Sequence, residues 1–325
     1  MSFPCPKSFP PGRTSLRNGT PFAGVVFAAL AVSFPAHASV LSHRGEVEFV
    51  VASAAPSAPA APPAEAPPPE EPAAETAPTS RVLRVAADPN NLPFSNSRLE
   101  GFENRIVALI AQELGARVEY TWLPERRGFF RQTLKEGSCD LVAGVPKGFE
   151  RALTTAPYYK STYVFLSRAD RNLDISSFDD PRLRDLQIGV QMIGDDYMNT
   201  PPAHALAQRG MAQNIHGYTV YGDYAEEAPL GKIVDAVARG EVDVAVVWGP
   251  LAGYYAKRCQ GVFALTPVSS TENLGVLPVT FDICLGVRRS EPELRDELNT
   301  VLAKKHSEIE AILNEYGVPL ADASH

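Results

Sequence analysis

Strands and helices alternate along residues 81–325, which predicts an α/β protein built as two similar lobes. Three observations carry that expectation. β-rich runs bounded by turn residues are followed by helical stripes that end in glycine. Two apolar runs, Leu141 to Val145 and Val242 to Val247, lack polar alternation, as expected of parallel strands buried on both faces. The segments Lys135-Glu136-Gly137-Ser138-Cys139-Asp140-Leu141 and Ala238-Arg239-Gly240-Glu241-Val242-Asp243-Val244 also share a plan of helix end, glycine cap, aspartate and buried strand. Their glycines and aspartates are each separated by 103 residues.

The elements follow in order. Arg81 to Ala86 opens as a strand, and Asp88-Pro89-Asn90-Asn91 supplies turn chemistry. Phe102 to Leu114 carries Ile106, Leu109, Ile110 and Leu114 on one helical stripe, with Gly115 at the C′ position. Val118 to Leu123 is a strand. A helix is expected from about Arg126 to Glu136, stopped by Gly137. Leu141 to Val145 and Ser161 to Leu166 complete the strands of the first half. The second half repeats the theme: strand Leu186 to Gln191, a helix containing Ala203 to Gln208, and strand Tyr218 to Tyr221. Helix Leu230 to Ala238 ends at Gly240, followed by strand Val242 to Val247, helix Leu251 to Lys257 and strand Val262 to Thr266. Phe281 to Val287 is the last strand, and one long helix is expected from about Pro292 to Glu315.

The first 80 residues have a different character. Lys7, Arg13 and Arg17 precede a 13-residue apolar stretch, Phe22 to Phe34, and Ala36-His37-Ala38 places small residues for cleavage after Ala38. Residues 1–38 therefore read as a signal peptide, and the expected compartment is the periplasm of a Gram-negative bacterium. No lipobox cysteine stands at the cut. Residues 39–80 read as a disordered Ala/Pro/Glu-rich linker. Positions 52–79 hold 11 Ala, 9 Pro and 4 Glu with no aromatic residue, a composition that cannot bury enough apolar surface to order itself. Its prolines favour a semi-rigid polyproline II spacer.

Charge and hydropathy exclude several functions. The net charge is −8, and loss of the basic leader makes it −11. With no Lys/Arg-rich run, nucleic acid is not the expected partner. No apolar run reaches the roughly 20 residues that span a bilayer. Walker, Gly-x-Gly-x-x-Gly, His-Glu-x-x-His and Gly-x-Ser-x-Gly motifs are absent, and the histidines have no paired ligand spacing. No enzymatic activity, metal site or cofactor is expected.

Several motifs resemble a known family. They are the turn Pro93-Phe94-Ser95, the helix start Gly101-Phe102-Glu103, Asp140-Leu141-Val142-Ala143-Gly144, and Leu285-Gly286-Val287-Arg288-Arg289 before Pro292-Glu293-Leu294. Over roughly 81–320 the chain resembles the family 3 extracellular solute-binding proteins. The runs Ala87 to Ser95, Gly101 to Ile106, Arg126 to Phe129 and Pro157 to Phe165 are similar to the subgroup encoded beside PQQ-dependent alcohol (methanol) dehydrogenases, the MoxJ/XoxJ-like proteins.

The resemblance implies a two-lobed periplasmic binding protein of type II, a Venus flytrap. Lobe I is expected at 81–165 plus 278–325 and lobe II at 166–277, with hinges near 163–168 and 267–280. The implied role is that of an accessory protein binding the PQQ-dependent dehydrogenase in its maturation or activation. The alternative is a substrate-binding protein of an ABC transporter for a small carboxylate or amino-acid-like solute.

Amino-acid-binding members hold the ligand carboxylate with an arginine near Arg151 and meet its ammonium with an acid at the end of a lobe II strand. Trp248-Gly249 stands there instead. Phe94, Trp122, Gly144, Val145, Arg151, Tyr158, Tyr159, Tyr163, Asp195 and Trp248 are the expected cleft residues. Gly144-Val145-Pro146 and Trp248-Gly249-Pro250 would be its two lips. Core or hinge packing is the competing use of the aromatics, and capping that of Asp195. Of the three mature cysteines, Cys259 and Cys284 are the expected disulfide and Cys139 a buried thiol.

Overall fold

The computed structural model describes residues 81–193, 199–220, 224–226, 228–269 and 278–321. The signal and linker expected in residues 1–80, and Asp195, lie outside the described residues.

Strand β1 (Arg81–Ala87) leads into two short strands, β2 (Asn90–Asn91) and β3 (Ser95–Asn96), which pair with each other. Helix α1 (Phe102–Glu113) follows. A side chain on its N-cap, Gly101, would strike the Phe94 carbonyl. Instead Asn104 reaches back to the Gly101 and Asn96 N–H groups, at 3.2 and 3.0 Å, and seals the helix start. Ile106, Val107 and Ile110 turn inward, and Gly115 ends the element at φ +61°. Strand β4 (Ala116–Trp122) then lies at the sheet edge, parallel to β1.

The expected helix at 126–136 is corrected: only a π-helical turn forms, at Arg131–Lys135. Gly128 at φ +97° breaks any α-helix before it. The Thr133 hydroxyl donates back to the Phe129 carbonyl at 2.7 Å, and Glu136 N–H reaches five residues back to Arg131.

Strand β5 (Leu141–Pro146), the two-residue β6 (Leu153–Thr154) and the long β7 (Tyr159–Arg168) complete the first half. The second half holds β8 (Ile188–Met192), α2 (Pro201–Gln208), β9 (Ile215–Thr219), α3 (Lys232–Arg239), β10 (Val244–Trp248), α4 (Gly249–Arg258) and β11 (Phe263–Pro267). Strand β12 (Thr280–Val287) returns the chain to the first half. The single long terminal helix is corrected to two, α5 (Pro292–Lys304) and α6 (His306–Glu315). They meet at Lys305, whose backbone (φ −100°, ψ 15°) leaves the helical region. The bend keeps Leu298 and Val301 of one helix and Ile309 and Leu313 of the other on the same core.

Strands run in the order β4-β1-β5-β12-β7-β10-β8-β9, with β11 also on β7. Strand β7 is the splice. Tyr159 to Thr162 pair with β12, whereas Tyr163 onward pair with β10, and Val164 onward also with β11. Separate apolar cores form on the two sides. Phe102, Ile106, Leu285 and Leu313 anchor the first, and Val164, Ile233, Val247 and Leu251 one face of the second.

The 103-residue repeat has a physical basis. Asp140 N–H donates to the Arg84 carbonyl at 2.8 Å, and its carboxylate accepts from Arg84 N–H at 3.1 Å. Asp243 N–H donates to the Gln187 carbonyl, and its carboxylate accepts from Gln187 N–H, both at 2.8 Å. Each aspartate thus pins the start of one parallel strand to its neighbour. The registers are equivalent: Val85 pairs with Leu141 and Ile188 with Val244.

Candidate functional site

The loops at the C-terminal ends of β1 and β4 form the floor of the site. Asp88, just past β1, is 5% exposed and accepts from Asn90 N–H and Glu125 N–H, both at 2.8 Å. Ser95 donates its hydroxyl to the Asp88 carbonyl at 2.8 Å. A buried carboxylate with these donors fixes both loops.

The second half reaches across to this floor. The Tyr224 hydroxyl donates to Asp88 Oδ2 at 2.5 Å, and Asn90 Nδ2 donates to the Glu226 carbonyl at 2.7 Å. Arg126 lies over the Tyr224 ring, 5.0 Å from its centroid. Burial, then the Asp88 carboxylate, push the Tyr224 phenol well above its ordinary value, so it stays a donor at neutral pH. These contacts latch the halves together.

Two further carboxyls stand beside the latch. Glu103, in the first turn of α1, is pushed up to about 8, first by burial and then by Glu125. Glu125 is pushed up to about 7, first by desolvation and then by the Asp88 carboxylate. Glu103 Oε1 lies 2.5 Å from where a β-carbon on Gly144 would sit, and Gly144 has φ +75°. Glycine there gives the carboxyl its place.

A cleft of about 650 Å³ opens beside this floor, lined by Asp88, Glu125, Arg126, Phe129, Phe149 and Arg151, with Val220 from the second half. Of the expected cleft residues that are described, Arg151 alone lines it.

The others fall elsewhere. Val145, Tyr158 and Tyr159 are core residues, at 1%, 5% and 6% exposure, and the Tyr158 hydroxyl accepts from Gly144 N–H at 3.2 Å. Gly144 abuts Glu103 rather than forming a lip. Trp122 stacks on Tyr120 along the edge strand, 4.5 Å between centroids. Phe94 packs against the cores of both halves. Trp248 sits edge-on to Tyr163 at 5.3 Å and to Phe281 at 5.7 Å, and also packs on the first core. Phe94, Tyr163 and Trp248 pack where the two cores meet, whereas Tyr158 and Tyr159 belong to the first core and Trp122 to the edge strand. Asx turns and glycine caps are legible locally, but nothing in one sequence brings Tyr224 to Asp88.

The expected Cys259–Cys284 bridge is corrected: Cys284 is a free buried thiol in β12, opposite Val145, and Cys139 is a second. Burial pushes both thiols up to about 11. Cys259 caps the end of α4 on the other half. Helix α4 packs on β7, β10 and β11, whereas Cys284 lies on β12 beside β5.

Among the described residues no group of three or more His, Cys, Asp or Glu forms a metal-binding set. Among them no helix is long and apolar enough to cross a membrane.

The family model of the bacterial extracellular solute-binding proteins, family 3, matches residues 83–319. A relative, protein MoxJ of Methylorubrum extorquens, is 34% identical over 266 residues, covering 78% of this chain and 86% of its own. The crystal structure of periplasmic binding protein XoxJ from Methylobacterium extorquens AM1 is similar at 36% identity and a TM-score of 0.60, over 74% of this chain and 99% of that one. The crystal structure of MxaJ from Methlophaga aminisulfidivorans MPT is similar at 27% identity and a TM-score of 0.65, over 74% of this chain and all of that one.

Proposed function

The chain belongs to the bacterial extracellular solute-binding proteins of family 3, and we propose that it works as a periplasmic, non-catalytic accessory protein of a PQQ-dependent methanol or alcohol dehydrogenase, binding it in maturation or activation. The observation that carries this reading is Trp248. At the end of β10, where an amino-acid receptor would offer a carboxylate to a ligand ammonium, the indole packs into Tyr163, Phe281 and the first core. The position serves packing and offers no carboxylate. Tyr224 latched onto Asp88 works in the same direction, because it spends the floor's best acceptor on a contact within the protein. A binding fold without a carboxylate at that strand end retains its outer surfaces for a macromolecular partner.

Pull-down from periplasm, with dehydrogenase activity assayed with and without this protein, tests the proposal. A co-purifying quinoprotein and activity that depends on the protein are expected. Unchanged activity with no co-purifying quinoprotein refutes it.

Arg151 favours one second reading. Its guanidinium lines the cleft beside Phe149 and suits a bidentate carboxylate. Delivery of a small carboxylate to a permease then predicts a thermal shift with organic or amino acids that Arg151→Ala abolishes.

A further inference from the structure

A trough on the first half carries a charge opposite to that of the chain as a whole. It holds about 880 Å³ and is lined by Arg127, Arg131, Lys135, Arg151, Arg288 and Arg289 over Phe130 and Leu134. No carboxylate is among its lining residues. It is assembled from distant segments. Arg131 and Lys135 come from the π-helical turn, Arg151 from the loop after β5, and Arg288 and Arg289 from the exit of β12.

What marks the trough is several cations gathered at one place without acids. Many arginines elsewhere are paired with acids: Arg81 with Glu297 at 2.5 Å, Arg105 with Glu315 at 2.5 Å, Arg171 with Asp243 at 2.9 Å, and Arg239 with Glu241 at 2.7 Å. Among the described residues, the side chains of Arg131, Lys135 and Arg151 have no hydrogen-bond or ion-pair partner, and that of Arg289 bonds a main-chain carbonyl, that of Glu150. Arg288 is already held by Asp140 and Glu291 and forms the fixed rim. A protein with net charge −8 has thus gathered unneutralised positive charge at one place.

Size and shape narrow the occupant. The trough shares Arg127, Gly128, Phe130 and Arg151 with the 650 Å³ cleft, so the two adjoin. Together they exceed the roughly 300–1,000 Å³ of small-molecule sites. Two adjoining cavities lined by guanidinium groups together with Phe130 and Leu134 fit an extended polypeptide carrying carboxylates beside apolar residues. Glu125 and Glu150 line the cleft end, where the positive stretch stops.

We propose that the trough formed by Arg131, Lys135, Arg151 and Arg289 is a docking site for an extended acidic segment of a partner protein. The proposal rests on the accessory-protein reading for the identity of that partner, and its chemistry stands without it.

The test uses the chain from residue 39 onward and two probes. The first is a fluorescein-labelled twelve-residue peptide of Glu, Ala and Phe, followed by fluorescence polarisation at low salt. Binding is expected, at least about tenfold weaker in R131A/K135A/R289A because exposed ion pairs add modestly but together, and weakened by added salt. R131K/K135R/R289K, which keeps the charge, is expected to bind within about threefold of the wild type. Equal binding by the alanine triple variant overturns the proposal, as does equal binding of a peptide with Lys in place of Glu. Full competition by millimolar citrate also overturns it, because that marks a small-anion site. The second probe is the periplasmic pull-down. If the wild type retains the quinoprotein and the alanine triple variant does not, the trough is its docking surface; retention by both overturns the proposal. If peptide binding depends on the trough while no quinoprotein is retained by the wild type, the docking chemistry stands and the accessory-protein reading falls.

Discussion

The two repeated aspartates offer a matched experiment, because the same backbone clamp is built twice with different numbers of donors. Asp140 accepts from Arg84 N–H at 3.1 Å, Arg84 Nε at 3.0 Å, Arg84 Nη2, and Arg288 Nη2 at 2.8 Å. Asp243 accepts from Gln187 N–H at 2.8 Å and Arg171 Nη1 at 2.9 Å. Their side chains are 14% and 24% exposed. Truncation to alanine strands one main-chain N–H in each case, at a cost of ~1–3 kcal/mol. It also strands two guanidinium groups at Asp140, against one at Asp243. Arg84 reaches water and recovers part of the loss, whereas Arg288 is 19% exposed and recovers less. The expected losses are ~3 kcal/mol for Asp140→Ala and ~1.5 kcal/mol for Asp243→Ala. In a unit of this size they lower Tm by about 6–12 °C and about 3–6 °C. Thermal and urea unfolding followed by circular dichroism at pH 7 read both. Burial alone pushes Asp140 up, but the bonds from Arg84 and Arg288 outweigh it and hold the carboxyl below the ordinary aspartate range. Its contribution is therefore present above the unfolded aspartate value of ~3.9 and is lost as pH falls through the lower folded value. The deficit of Asp140→Ala is expected to shrink in strong acid. An Asp243→Ala deficit equal to or larger than that of Asp140→Ala at pH 7 refutes the reasoning that donor number and burial set the strength of the clamp.

Further consequences concern the carboxyl beside the latch, its glycine and the cysteines. Gly144→Ala, with φ +75° and its β-carbon 2.5 Å from Glu103 Oε1, is expected to cost more than Gly148→Ala, at φ +77° with nothing within 4 Å. The difference, ~1–2 kcal/mol in urea unfolding, isolates the contact from the backbone strain. Glu103, pushed up to about 8, stays protonated in the folded chain while the unfolded chain ionises near 4.5, so it withdraws stability as pH rises from about 4.5 to 8. Glu103→Gln is expected to flatten that decline, and an unchanged slope between pH 5 and 8 counts against it. Because Cys284 and Cys139 are thiols, dithiothreitol is expected to leave Tm unchanged, and intact mass to lack the two-hydrogen deficit of a disulfide.

Much of the fold is local and was therefore readable. Glycine at 115, 137 and 240 was expected to end elements, and all three adopt positive φ, where other residues are strained. The stripe in α1 and the unbroken apolar runs of β5 and β10 depend only on near neighbours in the chain. Local propensity misled where tertiary contacts set the backbone. Glu113 of α1 holds both Lys304 and Lys305 at the bend between α5 and α6. Gly128, read as interior to a helix, takes φ +97°.

The amino-acid sequence by itself determined the α/β alternation, the duplicated glycine–aspartate clamp and a pattern specific enough to mark the family. Each follows from periodicity, capping chemistry or residue identity within a few positions. The tertiary structure decided the roles of individual side chains. It placed Trp248 where the two cores meet, brought Tyr224 onto Asp88 and gathered Arg131, Arg151 and Arg289 around one trough. Those meetings join residues as many as 158 positions apart through the order of strands in the sheet. No local rule carries that order, because it is set by how two cores close around β7 and β12.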